Sequence, residues 1–280
     1  MGKLVSMRKA TVQAGVLRVP NWDQFGWLRH GFSTRVHGFS SRYGENELNL
    51  GLTRDDDPAD VHRNRQLLTR AIAGEDASPE FVTVRQVHGI AIRTVDAGEN
   101  KLTAPDGRGL IDADGLMTQA KNSLLCIQVA DCVPVLVADT RLRAVAAYHA
   151  GWRGTAAGIV QQGIARMRHD FGSRPEDLIG AVGPSIGGCC YTIGEEVHRE
   201  FQQRYPYAAR LFSERADGLH LDLAEANRHQ MSDAGLRPES ITVLGECSAC
   251  SRLPDGRRKY FSHRAEHGVT GRMMAGIGIF

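Results

Sequence analysis

Three apolar runs dominate the middle of the chain. Leu124 to Val129 carries no polar position except Gln128, as expected of a strand buried on both faces. Val133 to Ala138 and Ala144 to Tyr148 are rich in β-type residues and flank a turn at Asp139-Thr140-Arg141. Helical periodicity is clearest over Thr155 to Phe171, where Val160, Ile164, Met167 and Phe171 fall on one stripe. A second helix is predicted from Pro58 to Ala73, with Val61, Leu68 and Ile72 as its apolar face and Gly74 as its stop. Further helices are expected over Glu195 to Tyr205 and from a capping box at Asp222 and Glu225 to Ala234. Short strands are predicted at Phe81 to Val84, Ile90 to Val95, Leu178 to Val182, Ile241 to Leu244 and Arg272 to Phe280. Another follows the turn at Asp112 to Gly115. Residues 16–35 suggest an early strand or hairpin, and the glycine- and serine-rich 37–49 stretch suits a binding loop.

At 280 residues the chain can bury a sizeable core, and no repeat or linker divides it. A flexible N-terminus over 1–15 and one domain over 16–280 are the expectation. A net charge of +2 makes no general electrostatic case for nucleic acid. No run approaches the ~18 apolar residues of a membrane span, and no basic-then-apolar leader opens the chain, so a cytoplasmic protein is expected. Met1-Gly2 with Ser6 fits a myristoylation pattern, but a short pattern of this kind also suits an ordinary exposed terminus. The six cysteines are too few and too irregular for a disulfide scaffold and read as cytosolic thiols.

His88, Cys132 and His149 each follow a β-type segment, and strand ends of this kind gather at one end of a sheet. Two imidazoles and a thiolate suit zinc and leave a fourth position open. Three separated residues do not make a motif, however, and each also suits a packed or solvated side chain. Cys132 and His149 alone would equally suit a nucleophile and its base. Gly183-Pro184-Ser185-Ile186-Gly187 fits a nucleophile-elbow pattern, yet Gly187-Gly188 cannot open the helix an elbow needs. Cys247-Ser248-Ala249-Cys250 lacks a second C-x-x-C, which favours a structural or incidental role. Arg35, Arg153 and Arg264 lie in short polar loops beside Ser33, Gly154 and Ser262. They are candidates for binding phosphate or carboxylate, as against solvated surface arginines.

The chain resembles the YfiH/laccase-domain family of purine nucleoside phosphorylases, once described as multicopper polyphenol oxidases. The segments that carry the likeness begin with Phe32-Ser33-Thr34-Arg35, Asn49-Leu50-Gly51, Arg85-Gln86-Val87-His88-Gly89 and Asp112-Ala113-Asp114-Gly115. Ala130-Asp131-Cys132-Val133-Pro134, His149-Ala150-Gly151-Trp152-Arg153-Gly154, Gly183 to Gly187, Phe261-Ser262-His263-Arg264 and Thr270 to Met273 complete them in order. The resemblance implies a single α/β (α+β) domain with mixed sheets layered between helices. It implies zinc on His88, Cys132 and His149, with copper as an adventitious occupant of such a site. It also implies phosphorolysis of adenosine, inosine, guanosine and 5′-methylthioadenosine, with adenosine deamination as a second activity. Some members are tied to editing of cell-wall precursors. On this reading Asp131 joins the three ligands as a catalytic candidate and relays protons. Ser33, Arg35, Asn49, Gln86, Arg153 and Arg264 are candidates for contacting a nucleoside and phosphate. A monomer or homodimer is expected. Thr192, where an acidic residue is expected, and Cys250 depart from the family pattern. None of the 11 histidines stands two positions from another, so the His-x-His pairs of a trinuclear copper cluster are missing.

Overall fold

The apolar runs become the centres of two stacked sheets. The computed structural model describes residues 12–13, 15–98 and 101–280; the Met1 to Ser6 pattern and most of the expected flexible 1–15 stretch lie outside them. From the N-terminal side, β1 (Val12–Gln13), β2 (Val16–Leu17), β3 (Leu28–Ser33) and β4 (Val36–Ser40) precede α1 (Pro58–Ala73). Next come β5 (Glu80–Val82), β6 (Ile92–Val95), β7 (Gly115–Thr118), β8 (Ser123–Val129), β9 (Val133–Asp139) and β10 (Ala144–Ala150). After them come α2 (Trp152–Ala156), α3 (Ile159–Phe171), β11 (Leu178–Val182) and α4 (Glu195–Arg204). The hairpin β12 (Phe212–Arg215) and β13 (Gly218–Leu221) leads to α5 (Leu223–Asp233), β14 (Ile241–Val243) and β15 (Met273–Ile279).

One sheet runs β1-β2-β3-β15-β8-β5 and the other β14-β11-β9-β10-β7-β6. Both are mixed: β5 on β8, β6 on β7 and β11 on β14 are parallel, and their other pairings are antiparallel. The sheets face each other, which is why β8 and β9 show no polar alternation. Val133, Val135 and Val137 of β9 pack with Ile159, Ile164 and Met167 of α3. Leu136 and Ala138, pointing the other way, pack with Leu125 and Ile127 of β8 and Ile277 of β15. On the outer side of the first sheet, Leu68 and Ile72 of α1 meet Leu124, Cys126 and Met274. The result is an α/β/β/α stack, and each large aliphatic side chain fully buried in it contributes about 1.5–3 kcal/mol.

The helix caps follow local chemistry. Asp57 accepts from the Ala59 N–H at the start of α1, with Pro58 in its first turn, and Gly74 stops it. Asp222 caps α5 by accepting from the Glu225 N–H, but the Glu225 carboxylate pairs with Arg228, so the capping box is half formed. Two expectations need correction. The helix predicted over Thr155 to Phe171 is broken, because Gly158 takes a left-handed conformation (φ 77°) between α2 and α3. The 37–49 stretch is not a free binding loop: Asn64 of α1 accepts from the Phe39 N–H and donates to Ser40 Oγ and the carbonyls of Glu47 and Asn49.

The crossings between the sheets position the site. The chain passes from β5 in the first sheet to β6 in the second through His88, and from β8 to β9 through Cys132. His149 is the penultimate residue of β10 nearby, opposite Pro134 in the β9–β10 register.

Two substitutions separate core from cap energetics. Leu68→Ala, at a position with no solvent exposure, should lower unfolding stability by about 2–5 kcal/mol. Asp57→Ala, which removes only a cap, should cost about 1 kcal/mol. Urea denaturation monitored by circular dichroism measures both, and equal losses would contradict the layered packing described here.

Candidate metal centre and its pocket

A buried carboxylate organises the site. Asp114 has no exposure to solvent and stands just before β7. Its carboxylate accepts hydrogen bonds from three consecutive backbone N–H groups, those of Val87 (3.2 Å), His88 (3.0 Å) and Gly89 (2.7 Å). It also accepts from His149 Nδ1 at 2.8 Å. Its own main-chain carbonyl accepts from the His149 N–H at 2.7 Å, so ring and backbone are fixed together. The three amides hold the turn in which His88 adopts φ 60°, a left-handed conformation that costs a non-glycine residue roughly 1 kcal/mol or more.

An ionised carboxylate can only accept, so the proton of His149 sits on Nδ1 and its Nε2 is left as a donor atom for a metal. The donor atoms of His88, Cys132 and His149 lie within 4.8 Å of one another. The two rings meet edge to face, with centroids 4.9 Å apart. Exposure falls from His88, which is exposed, through partly buried Cys132 to buried His149. The cluster therefore opens to solvent on the His88 side. Gly151 makes this close approach possible: a Cβ there would sit 2.9 Å from His88 Cδ2 and 3.1 Å from Cys132 Sγ. Soft sulfur with two imidazole nitrogens is the donor chemistry of zinc or copper, and His149 is held in the correct tautomer for it.

The electrostatics agree with the geometry. Burial pushes the Cys132 thiol up, but the charge and hydrogen bond of His149 and the hydrogen bond of His88 outweigh it and bring the thiol down to about 6. Burial pushes His149 down, yet the Cys132 thiolate and the bond to Asp114 outweigh that and raise it to about 9. Burial also opposes ionisation of Asp114, and its bonds to His149 and Gly89 still hold it below the usual carboxylate value.

A cavity of about 640 Å³ opens over these residues. Gln86, Asp131 and Arg264 line it together with the three candidate ligands. Asp131 adopts φ 88°, and its carboxylate accepts from Ser248 Oγ (2.7 Å) and the Arg264 N–H (2.7 Å). Both ends of the Gln86 amide bond the backbone of Gln128, so Gln86 braces β8 at the pocket edge.

The other four sequence-derived contacts stand elsewhere. Ser33 Oγ accepts from the Met274 N–H between β3 and β15. Arg35 is buried, paired with Glu47 (2.7 Å) and Glu266 (3.0 Å) and stacked on Phe261, so its charge is spent inside the fold. Asn49 bonds Gly51, Asp56 and the Arg272 N–H. Arg153 lies exposed over the Trp152 ring, outside the pocket lining.

Sequence reading overlooked several pocket residues. Arg65 and Arg272 line it, as does Tyr191, over whose ring Arg264 lies. Arg65 is buried, and its guanidinium donates to the carbonyls of Leu50 (2.8 Å) and Gly107 (2.6 Å); burial draws it down to about 10. Arg272 and Arg264 likewise donate to carbonyls, of Thr270, Gly271 and Thr192. The bonds of all three arginines thus leave net positive charge facing the cavity. By contrast, Arg85 and Arg108 on the rim pair with Asp112 and Asp106. Arg65 could have been suspected, since it falls in the apolar stripe of α1 between Val61 and Leu68.

The coupled shifts set a pH window. The depressed Cys132 value means that its stabilising ionisation is present at alkaline pH and is lost as pH falls through about 6. The raised His149 value means that its contribution is present at low pH and is lost as pH rises through about 9. In metal-stripped protein, Cys132 should alkylate with iodoacetamide at a nearly constant rate across this window, falling below about 6. Asp114→Asn should shift that fall upward. A rate that already declines below the ordinary thiol value of 9.0 would contradict the thiolate–imidazolium pair. Gly151→Ala should lower metal affinity by about 10–100-fold while the fold persists, as read by metal titration and circular dichroism.

Comparison with known proteins places this geometry in a family. The family model described as multi-copper polyphenol oxidoreductase laccase matches residues 29–280. The chain is 36% identical over 265 residues to the purine nucleoside phosphorylase YlmD of Geobacillus stearothermophilus, covering 90% of this chain and 94% of that one. It is also 36% identical over 264 residues to a purine nucleoside phosphorylase of Deinococcus radiodurans, covering 94% and 92%. Among solved structures, the hypothetical protein YfiH of Bacillus licheniformis superposes with a TM-score of 0.85 at 31% identity, covering 96% of this chain and 97% of that one. The chain therefore belongs to the YfiH-like laccase-domain family.

Proposed function

We propose that the chain is a zinc-dependent purine nucleoside phosphorylase whose reaction takes place in the pocket over His88, Cys132 and His149. The observation that carries this reading is the joining of a His₂Cys donor set to a cavity lined by Arg65, Arg264 and Arg272, whose guanidinium groups donate to backbone carbonyls. A cavity of this size accommodates a nucleoside. Relatives at 36% identity bear the phosphorylase name, which supports the same class.

In this reading His88, Cys132 and His149 hold the ion, which when bound supplies Lewis-acid polarisation. Arg65, Arg264 and Arg272 bind the phosphate that attacks C1′ of the ribose. Tyr191 and Ile186 give the purine an aromatic and an aliphatic wall. Asp131, its carboxylate fixed by Ser248 and Arg264, relays protons at the base. Adenosine, inosine, guanosine and 5′-methylthioadenosine are the proposed substrates, with deamination of adenosine as the second activity and a cytoplasmic monomer or homodimer as the working form. Without His-x-His pairs, oxidation of polyphenols at a trinuclear copper cluster is disfavoured.

A second reading has a specific observation behind it. The lowered Cys132 thiol beside buried His149 is also the arrangement of a cysteine nucleophile, suited to hydrolysing an amide in a cell-wall precursor.

Product and metal analysis separate the two. With phosphate, adenosine should yield adenine and ribose 1-phosphate; inosine formation should occur without it. His88→Ala should empty the site and abolish both. Turnover that survives complete metal removal would defeat the metal reading and leave the nucleophile. Arg272→Gln should raise KM for phosphate about tenfold or more, equivalent to about 1.4 kcal/mol, with little change in nucleoside KM. An unchanged phosphate KM would remove Arg272 from the anion site.

A further inference from the structure

A second cluster of soft donors stands apart from the pocket. Cys189, Cys190, Cys247 and Cys250 bring their sulfurs within 4.8 Å of one another. They come from two facing turns, one after β11 and one after β14. A bridge between Ser185 and Cys247 joins those turns, and the N–H groups of Ser185 and Ser248 donate across it to Glu246 and Ser185 carbonyls. The backbone N–H of Gly187 donates to the Cys247 sulfur at 3.3 Å. An amide directed at the first sulfur of a C-x-x-C turn favours it as a thiolate ligand.

The spacing of the sulfurs distinguishes two fates for such a group. Cys189 and Cys250 Sγ are 3.6 Å apart. A disulfide needs about 2.05 Å. Four thiolates around zinc at about 2.3 Å stand on tetrahedron edges of about 3.8 Å. The observed separation matches the tetrahedron. Cys247 is buried, whereas Cys189 and Cys250 are exposed, so an ion could enter from solvent without opening the core.

We propose that Cys189, Cys190, Cys247 and Cys250 form a second, structural zinc site in which four thiolates bind the ion and release their protons to solvent. The site would tie the 183–194 loop to the 246–251 turn. This junction also supports the pocket: Ser248, between the paired cysteines, bonds Asp131, and Ile186 and Tyr191 of the other loop line the cavity. The isolated look of C-x-x-C in the sequence is explained by its partners being adjacent cysteines of a distant loop.

Zinc content per chain, measured on protein produced and exchanged in zinc-containing buffer, tests the proposal. Wild type should hold about two ions, and Cys250→Ser and Cys189→Ser about one. His88→Ala should also hold about one, and His88→Ala with Cys250→Ser none. Cobalt exchange supplies a readout independent of activity. Sulfur-to-cobalt charge-transfer intensity typical of four thiolates should survive His88→Ala and disappear in Cys250→Ser. Exposed Cys250 and Cys189 are chosen so that the variants fold, which retention of the ion at His88, Cys132 and His149 verifies. About one zinc in wild type with unchanged content in Cys250→Ser, or a Cys189–Cys250 disulfide found by mass spectrometry of the purified protein, would overturn the site.

Discussion

Asp114 holds a charge where there is no water to solvate it, and the surrounding chain is arranged to replace that water. Three amides of the 87–89 turn and one imidazole N–H supply the hydrogen bonds a carboxylate would otherwise take from solvent. The arrangement acts in both directions. The carboxylate is kept ionised, and in return it holds His88 in a strained backbone conformation and dictates which nitrogen of His149 is free. Removing the charge would release the turn and the ring together, because both depend on the same two oxygens. The thiolate character of Cys132 is a consequence one step further out, since it rests on an imidazole that Asp114 keeps protonated at the far nitrogen.

The packing around this carboxylate leaves little room for adjustment. Asp114 precedes β7, His149 lies next to the end of β10, and these two strands pair directly, with Tyr148 opposite Gly115. Behind them α3 packs on the outer face of the sheet, and the first sheet closes the inner face. His149 is therefore held by a ladder and two layers of side chains, whereas His88 is held by a turn alone. The pocket combines a rigid floor with a more exposed rim.

Legibility in the sequence followed the range of the interactions. The runs of β8, β9 and β10 and the stripes of α1 and α3 were readable because burial imposes their pattern residue by residue. His88, Cys132 and His149 were readable as donors by type and as strand-end residues that could meet, and the family likeness turned that weak grouping into the favoured one. Gly158 was not readable as a break, because glycine is tolerated in helices and only its left-handed conformation ends one. Ser33, Arg35 and Asn49 lie in segments that carry the family likeness, yet in the fold they bond strands, buried carboxylates and loops. A polar residue that satisfies buried backbone looks the same in one dimension as one that meets a substrate. Asp114 was hidden for the converse reason: its four partners come from two distant segments, and no spacing in the chain announces that they converge. The adjacent cysteines at 189 and 190 escaped notice as partners of Cys247 and Cys250 in the same way.

The crossings of the chain between its two sheets carry a mechanical consequence. His88 and Cys132 lie on separate passages from one sheet to the other, while His149 belongs to the second sheet alone. An ion shared by the three would thus staple the seam between the sheets at one end of the sandwich. Parting the layers there would require breaking coordination bonds as well as exposing apolar surface. Occupancy would then raise resistance to unfolding in proportion to the logarithm of free metal over its dissociation constant. An ion bound there for the reaction would then also act as a rivet for the fold, and its loss would loosen the architecture and the chemistry together.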